Sequence, residues 1–168
     1  MSSRIVTVAI SIFLAAFCVV PANAQALEPA LGTRIAALER DVARADSVRQ
    51  VKLVQTAYAH FAEFGLWDQM ADLFADNGVL QIGDREIRGQ KAILSYLTEN
   101  FGEGRLGIAP GTLTTRLQMT PVVNLSADGR TAKGRWHELA MLGRLGGAAR
   151  WEGGISENEY VLQDGRWK

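Results

Sequence analysis

The chain has 168 residues, with 18 basic and 18 acidic side chains and 48% hydrophobic residues. That length suits one domain with one core rather than two, and no basic run draws the chain toward nucleic acid. The only cysteine is Cys18, so any thiol chemistry would have to come from the first segment of the chain.

In that segment, MSSRIVTVAISIFLAAFCVVPANA, Arg4 precedes an apolar run from Ile5 to Val20, and Ala22-Asn23-Ala24 forms a small-x-small triplet before Gln25. Residues 1–24 therefore read as a secretory signal peptide, with a mature chain starting near Gln25 and a periplasmic or secreted destination. The run is at the short end for a bilayer span, so no membrane association is expected after cleavage. Removing Cys18 would leave neither disulfide nor thiolate, which excludes cysteine nucleophiles and thiolate metal sites.

Residues 25–46 form a charged helical arm in which Ile35, Leu38, Val42 and Ala45 recur at helical spacing. The arm reads either as a partner-binding stripe or as a helix packed on its own domain or its dimer mate. Residues 47–168 form the domain proper. Asp46 and Ser47 are placed to cap a long helix, along which Val48, Val51, Val54, Tyr58, Phe61 and Ala62 share a face until Gly65. A shorter helix over Trp67 to Phe74 is ended by Asn77-Gly78, and Val79, Leu80 and Ile82 are strand formers. Gly83-Asp84 turns the chain into a short charged edge strand, Arg85 to Ile87.

A third helix begins at Gln90, with Ile93, Leu94, Tyr96, Leu97 and Phe101 along it. The glycine-rich stretch from Gly102 to Gly111 lacks the spacing and the Lys-Ser/Thr of a phosphate loop, and no other cofactor motif is present. Beyond it lie three long strand-like runs, TLTTRLQMTPVVNL, RTAKGRWHELAML and ARWEGGISENEYVL, separated by turns. Helices first and a meander of antiparallel strands afterwards make an α+β plan, with the helices on one face of a curved sheet.

The pieces YAHFAEFGLWDQMADLFADNGVLQI, REIRGQKAILSYL, DGRTAKGRW and ENEYVLQDGRWK, in that order, resemble the SnoaL-like branch of the nuclear transport factor 2-like superfamily. The resemblance runs from about Val48 to the end. It implies a cone-shaped α+β barrel in which three helices lie in the concave face of the sheet around a largely apolar pocket. Its members include ketosteroid isomerases, polyketide cyclases, scytalone dehydratase and noncatalytic binding or assembly proteins, so fold alone leaves the activity open. In such domains the turn at Asp164-Gly165 leads into a long final strand, whereas this sequence stops at Lys168. The expectation is a shortened last strand and an unpaired edge beside it.

Catalytic members of the superfamily work without metal, through a carboxylate or histidine and a group that holds an oxyanion. Glu63 is a candidate for the first role by the resemblance, although the helical wheel sets it off the inward stripe as an ordinary exposed glutamate. Tyr58 lies on that stripe and is either a ligand donor or a core tyrosine. On the strand holding Trp136, His137 and Glu138, alternation turns either His137 or its two neighbours into the pocket. Ala132 and Gly134 share the Trp136 face, which favours Trp136 and Glu138 inward and His137 outward.

Asn158 and Tyr160 fall on one face of the last long strand, and Glu157 and Glu159 on the other. Arg116 stands where the resemblance leads one to expect a histidine, and offers an anion site instead. Ser156 stands where an aromatic residue is usual. With neither cysteines nor paired histidines, no metal site is expected. The reading is an exported pocket protein that binds a small apolar or aromatic, possibly anionic, molecule and forms a homodimer through its sheet. A metal-independent lyase or isomerase using Glu63, His137 or Glu138 is the first alternative, and a noncatalytic dimeric assembly module the second.

Overall fold

The computed structural model describes residues 22–168, with side chains from residue 28 onward. The apolar run read as a leader, from Ile5 to Val20, lies outside the described residues. The chain divides into two compact units, Met1–Glu39 and Arg40–Lys168. One helix, α1 (Ala22–Phe64), passes through the boundary and supplies all the described residues of the first unit.

The start of a new helix at Asp46-Ser47 is not observed. Ser47 donates its hydroxyl to the carbonyl of Ala43, and Asp46 accepts from Arg49 and Gln50 one turn on. Both residues thus satisfy their polar atoms inside the helix, and capping side chains of this kind do not by themselves break it.

The second unit continues with α2 (Trp67–Asp72), the hairpin β1 (Val79–Ile82) and β2 (Arg85–Arg88), and α3 (Gln90–Asn100). Three long strands follow, β3 (Thr112–Leu125), β4 (Thr131–Arg144) and β5 (Ala149–Gln163), with the two-residue β6 (Arg166–Trp167) at the end. These four form an antiparallel sheet in the order β3-β4-β5-β6, strongly curled into a half-barrel against which the helices pack. Strand β6 pairs with β5 through Leu162–Trp167 and Gln163–Arg166, and Lys168 continues the pairing by exchanging two backbone hydrogen bonds with Val161.

Gly65 must be glycine. It has φ +66°, and a Cβ there would lie 2.4 Å from the backbone carbon of Gly107. The glycine-rich loop is thereby tied to the end of α1, with the Gly107 amide donating to the Gly65 carbonyl at 2.8 Å.

Two apolar clusters make the core. The first joins Ala62 of α1 to Trp67, Met70 and Ala71 of α2, Leu80 of β1, and Ile93 and Leu97 of α3. The second joins Val51 of α1 to Ala132, Tyr160 and Trp167 of the sheet. Helix α1 thus has one apolar face with two ends, one sealed by helices and the other by strands.

Ile93 is fully buried in the first cluster, so Ile93→Ala removes apolar contacts and leaves a cavity. Urea unfolding should show a loss of roughly 2–5 kcal/mol. A loss below about 0.5 kcal/mol would mean that this cluster does not hold the fold together.

Candidate functional site

Strand alternation sorts the candidates. On β4, Ala132, Gly134, Trp136 and Ala140 are buried and Glu138 is half-buried, whereas Lys133, Arg135 and His137 are exposed. Register then aligns Glu138 with Gln118 of β3, and Gly134 with Asn158 of β5. Trp136 and Glu138 therefore face inward as the small residues on their side of the strand suggest. Glu157 and Glu159 point outward, where they pair with Arg135 and Lys133.

The inward side chains form a continuous chain of hydrogen bonds. The Trp136 indole N–H donates to the Tyr160 hydroxyl at 3.1 Å, and that hydroxyl donates to Gln55 Oε1 at 2.8 Å. Asn158 Nδ2 donates to the same Gln55 oxygen at 2.8 Å and to the Tyr160 hydroxyl at 3.1 Å. From the other end of its amide, Gln55 donates to Gln118 Oε1 at 3.1 Å. Gln118 Nε2 then donates to Glu138 Oε2 at 2.6 Å, and Arg116 Nη1 donates to Glu138 Oε1 at 2.5 Å.

Gln55 and Gln118 escaped the sequence reading. Gln55 is 4% exposed, a lone amide on an otherwise apolar helix face, and that interruption of the stripe was the available signal. Gln118 shares the parity of Arg116 two residues away, but only the register shows that both meet Glu138.

Arg116 is not free to take up an anion, since the Glu138 carboxylate already holds it; the two side chains are 17% and 18% exposed. Glu63 is half-buried rather than freely exposed, because its Oε1 accepts the backbone N–H of Arg116 at 3.1 Å and joins the end of α1 to β3. His60 is exposed and stacks edge-on against Phe64.

His137 is turned to the outer face, with Nδ1 2.5 Å from the Thr120 hydroxyl, so it does not join the inward group. Tyr58 packs in the first cluster and meets Phe74 edge to face at 6.3 Å. Burial pushes its phenol up to about 12, with Arg116 opposing the shift and Glu138 and Tyr96 adding to it. The Tyr160 phenol is also raised by burial, against the hydrogen bonds it receives from Asn158 and Trp136.

Asn158, Ser156, Glu138 and Arg116 are all half-buried, so the inner face of the sheet is open to solvent at these positions. Chemically the arrangement presents amides, a phenol and an indole beside one internally neutralised ion pair. An open hollow lined by Asp76, Arg88, Gln90, Lys91 and Ser95 shares none of these residues.

Helices held in the concave side of a curled antiparallel sheet, with polar side chains gathered where α1 crosses the strands, define a cone-like α+β protein of the nuclear transport factor 2-like type. A family model, SnoaL-like domain, matches residues 43–168, and the chain belongs to that family.

Similar solved structures include a candidate scytalone dehydratase from Novosphingobium aromaticivorans. It is 16% identical with a TM-score of 0.64, over 76% of this chain and 82% of that one. A type 2 hexachlorocyclohexane dehydrochlorinase (LinA) is 16% identical with a TM-score of 0.63, over 76% and 83%. A protein from Catenulispora acidiphila in complex with S-DNPA is 20% identical with a TM-score of 0.60, over 73% and 87%. At these identities the likeness carries the fold alone. No curated protein matches the chain.

Two predictions come from the site. Arg116→Leu strands Glu138 without its cation and should cost roughly 1–3 kcal/mol in denaturant unfolding, more than the Arg116→Leu, Glu138→Leu double variant. Additive losses would show that the pair does not interact.

The second concerns alkali. With the folded Tyr58 at about 12 against an ordinary 10.0, the unfolded chain loses that proton first. The share of stability that depends on the neutral phenol is complete below pH 10 and drains away as pH rises toward 12. Tyr58→Phe should flatten that part of the alkaline unfolding curve. An unchanged curve would place the Tyr58 hydroxyl in water.

Proposed function

We propose that this protein binds a small, uncharged, largely aromatic molecule bearing a carbonyl, on the inner face of its sheet, and does not transform it. The observation that carries this reading is the Arg116–Glu138 pair. Each charged group is held by the other, so neither an unpaired cation for a ligand carboxylate nor a free carboxylate for proton removal is on offer. Asn158 is half-buried at the open part of the face, and an acceptor oxygen on a flat ring would take over one of the N–H groups that Asn158 otherwise gives to Gln55 and Tyr160. The anionic ligand considered from the sequence is thereby set aside in favour of a neutral one.

A lyase or isomerase is the second reading. It is favoured by the half-buried Glu138 carboxylate on the open inner face, whose charge helps to raise the Tyr58 phenol, and by a candidate dehydratase and a dehydrochlorinase among proteins of like fold. In that case Glu138 would move the proton, with Tyr58 steadying the developing oxyanion. Glu63 would act only indirectly, since its carboxylate is engaged by the Arg116 backbone.

The proposal extends to export, on the strength of the leader-like residues 1–24, and to a homodimer. The outer face of the sheet leaves Leu113, Leu117 and Met119 of β3 and Trp151 and Ile155 of β5 exposed on either side of β4. A connected apolar surface of this kind suits a second copy of the sheet.

Calorimetric titration of neutral aromatic ketones against the matching aromatic carboxylates tests the ligand class. Ketones should bind, Asn158→Leu should weaken them about tenfold, and Glu138→Gln should change affinity less than about threefold. Carboxylate binding that depends on Arg116 would sink the neutral-ligand reading. Turnover abolished by Glu138→Gln would establish the enzyme instead.

A further inference from the structure

Leu31, Ile35, Leu38 and Val42 are 55%, 47%, 55% and 68% exposed, and they follow one another at intervals of four, three and four residues along α1. Those intervals put all four on one seam of a helix, the a and d positions of a heptad. All four precede the family domain, which begins at residue 43, so the domain's ligand site gives no reason for them.

We propose that this arm pairs in parallel with the same segment of a second copy. The side-chain shapes select that occupant: the β-branched Ile35 and Val42 fall at a, and Leu31 and Leu38 at d, the combination that favours two parallel strands. Charge agrees with shape. Arg34 falls at g and Glu39 at the following e, both exposed, and in a parallel pair each Arg34 faces the Glu39 of the second copy.

The next g–e pair, Asp41 with Asp46, is like-charged. Asp46 is already engaged within its own helix by Arg49 at 2.7 Å and Gln50 at 2.5 Å, which blunts the repulsion. An antiparallel pair would instead layer Ile35 on Leu38 and lose the distinction between the two positions. So short a seam is marginal alone. The pairing therefore rests on the sheet-face homodimer proposed above, which holds the two arms at high effective concentration.

The test uses the full chain with Cys18→Ser and one new cysteine, at Leu38→Cys on the seam or at Arg40→Cys on the opposite side of the helix. Each variant is oxidised with diamide and also sedimented. Leu38→Cys should cross-link about tenfold faster than Arg40→Cys. Adding Arg34→Glu to Leu38→Cys should slow the cross-linking, and adding Glu39→Arg as well should restore it. A sedimenting dimer in which Leu38→Cys links no faster than Arg40→Cys overturns the arm pairing and leaves the sheet dimer standing. Linking only in a mixture of Ile35→Cys and Leu38→Cys chains also overturns it, in favour of antiparallel arms. A monomer in every case, without cross-links, overturns both proposals.

Discussion

The second unit is organised around one buried amide. Gln55 sits among the apolar residues of α1 with almost no exposure, and an amide there without partners would cost several kcal/mol, of the order of the whole stability of a small domain. Its oxygen accepts from Asn158 and Tyr160 of β5, and its nitrogen donates to Gln118 of β3. Partners 63, 103 and 105 residues away in the chain are therefore held at hydrogen-bond distance from one side chain. Apolar packing would accept α1 in several rotations against the sheet, whereas the amide accepts the one that satisfies both of its ends.

From Gln55 the consequences run outward in two directions. Toward β5, Tyr160 receives two donors and gives one, which fixes its ring over Gly134; a Cβ on that glycine would lie 2.9 Å from the ring. Toward β3, Gln118 fastens one oxygen of Glu138 and leaves the other for Arg116. The interior charge is thus neutralised inside the protein rather than by a ligand, and this decides the chemistry open to the site. Both oxygens of the Glu138 carboxylate are engaged, one by a guanidinium and one by an amide, and a neutral guest leaves that pairing undisturbed.

Much of this was legible in the sequence where a pattern is local. The inward parity of Trp136 and Glu138 follows from the small residues Ala132 and Gly134 on the same face, because a helix crossing a sheet needs room. The parity of Asn158 and Tyr160 follows from alternation with the charged Glu157 and Glu159. What local pattern does not encode is pairing. Arg116 reads as a free cation until the register sets Glu138 beside it. Glu63 reads as exposed until the Arg116 amide reaches its carboxylate. Strand β3 adds a register shift between Met119 and Val122, with Thr120 at φ +47°, so alternation counted from one end gives the wrong face at the other. The break imagined at Asp46-Ser47 failed for a different reason: residues that cap helices also satisfy themselves within one.

Strand β4 shows why site and surface cannot vary independently in this protein. Its even-numbered residues carry the inner network and its odd-numbered residues carry the outer face, where His137 and Leu139 lie between the exposed side chains of β3 and β5. Sliding the strand by one residue would exchange the two sets entirely, burying Lys133 and Arg135 and exposing Trp136. That slip is opposed from within by Tyr160 resting over Gly134, and from outside by the ion pairs of Lys133 with Glu159 and Arg135 with Glu157. The outer pairs are exposed and contribute little energy singly. Their value lies in register, since only the observed alignment sets both bases opposite acids while keeping the Gln55 amide satisfied.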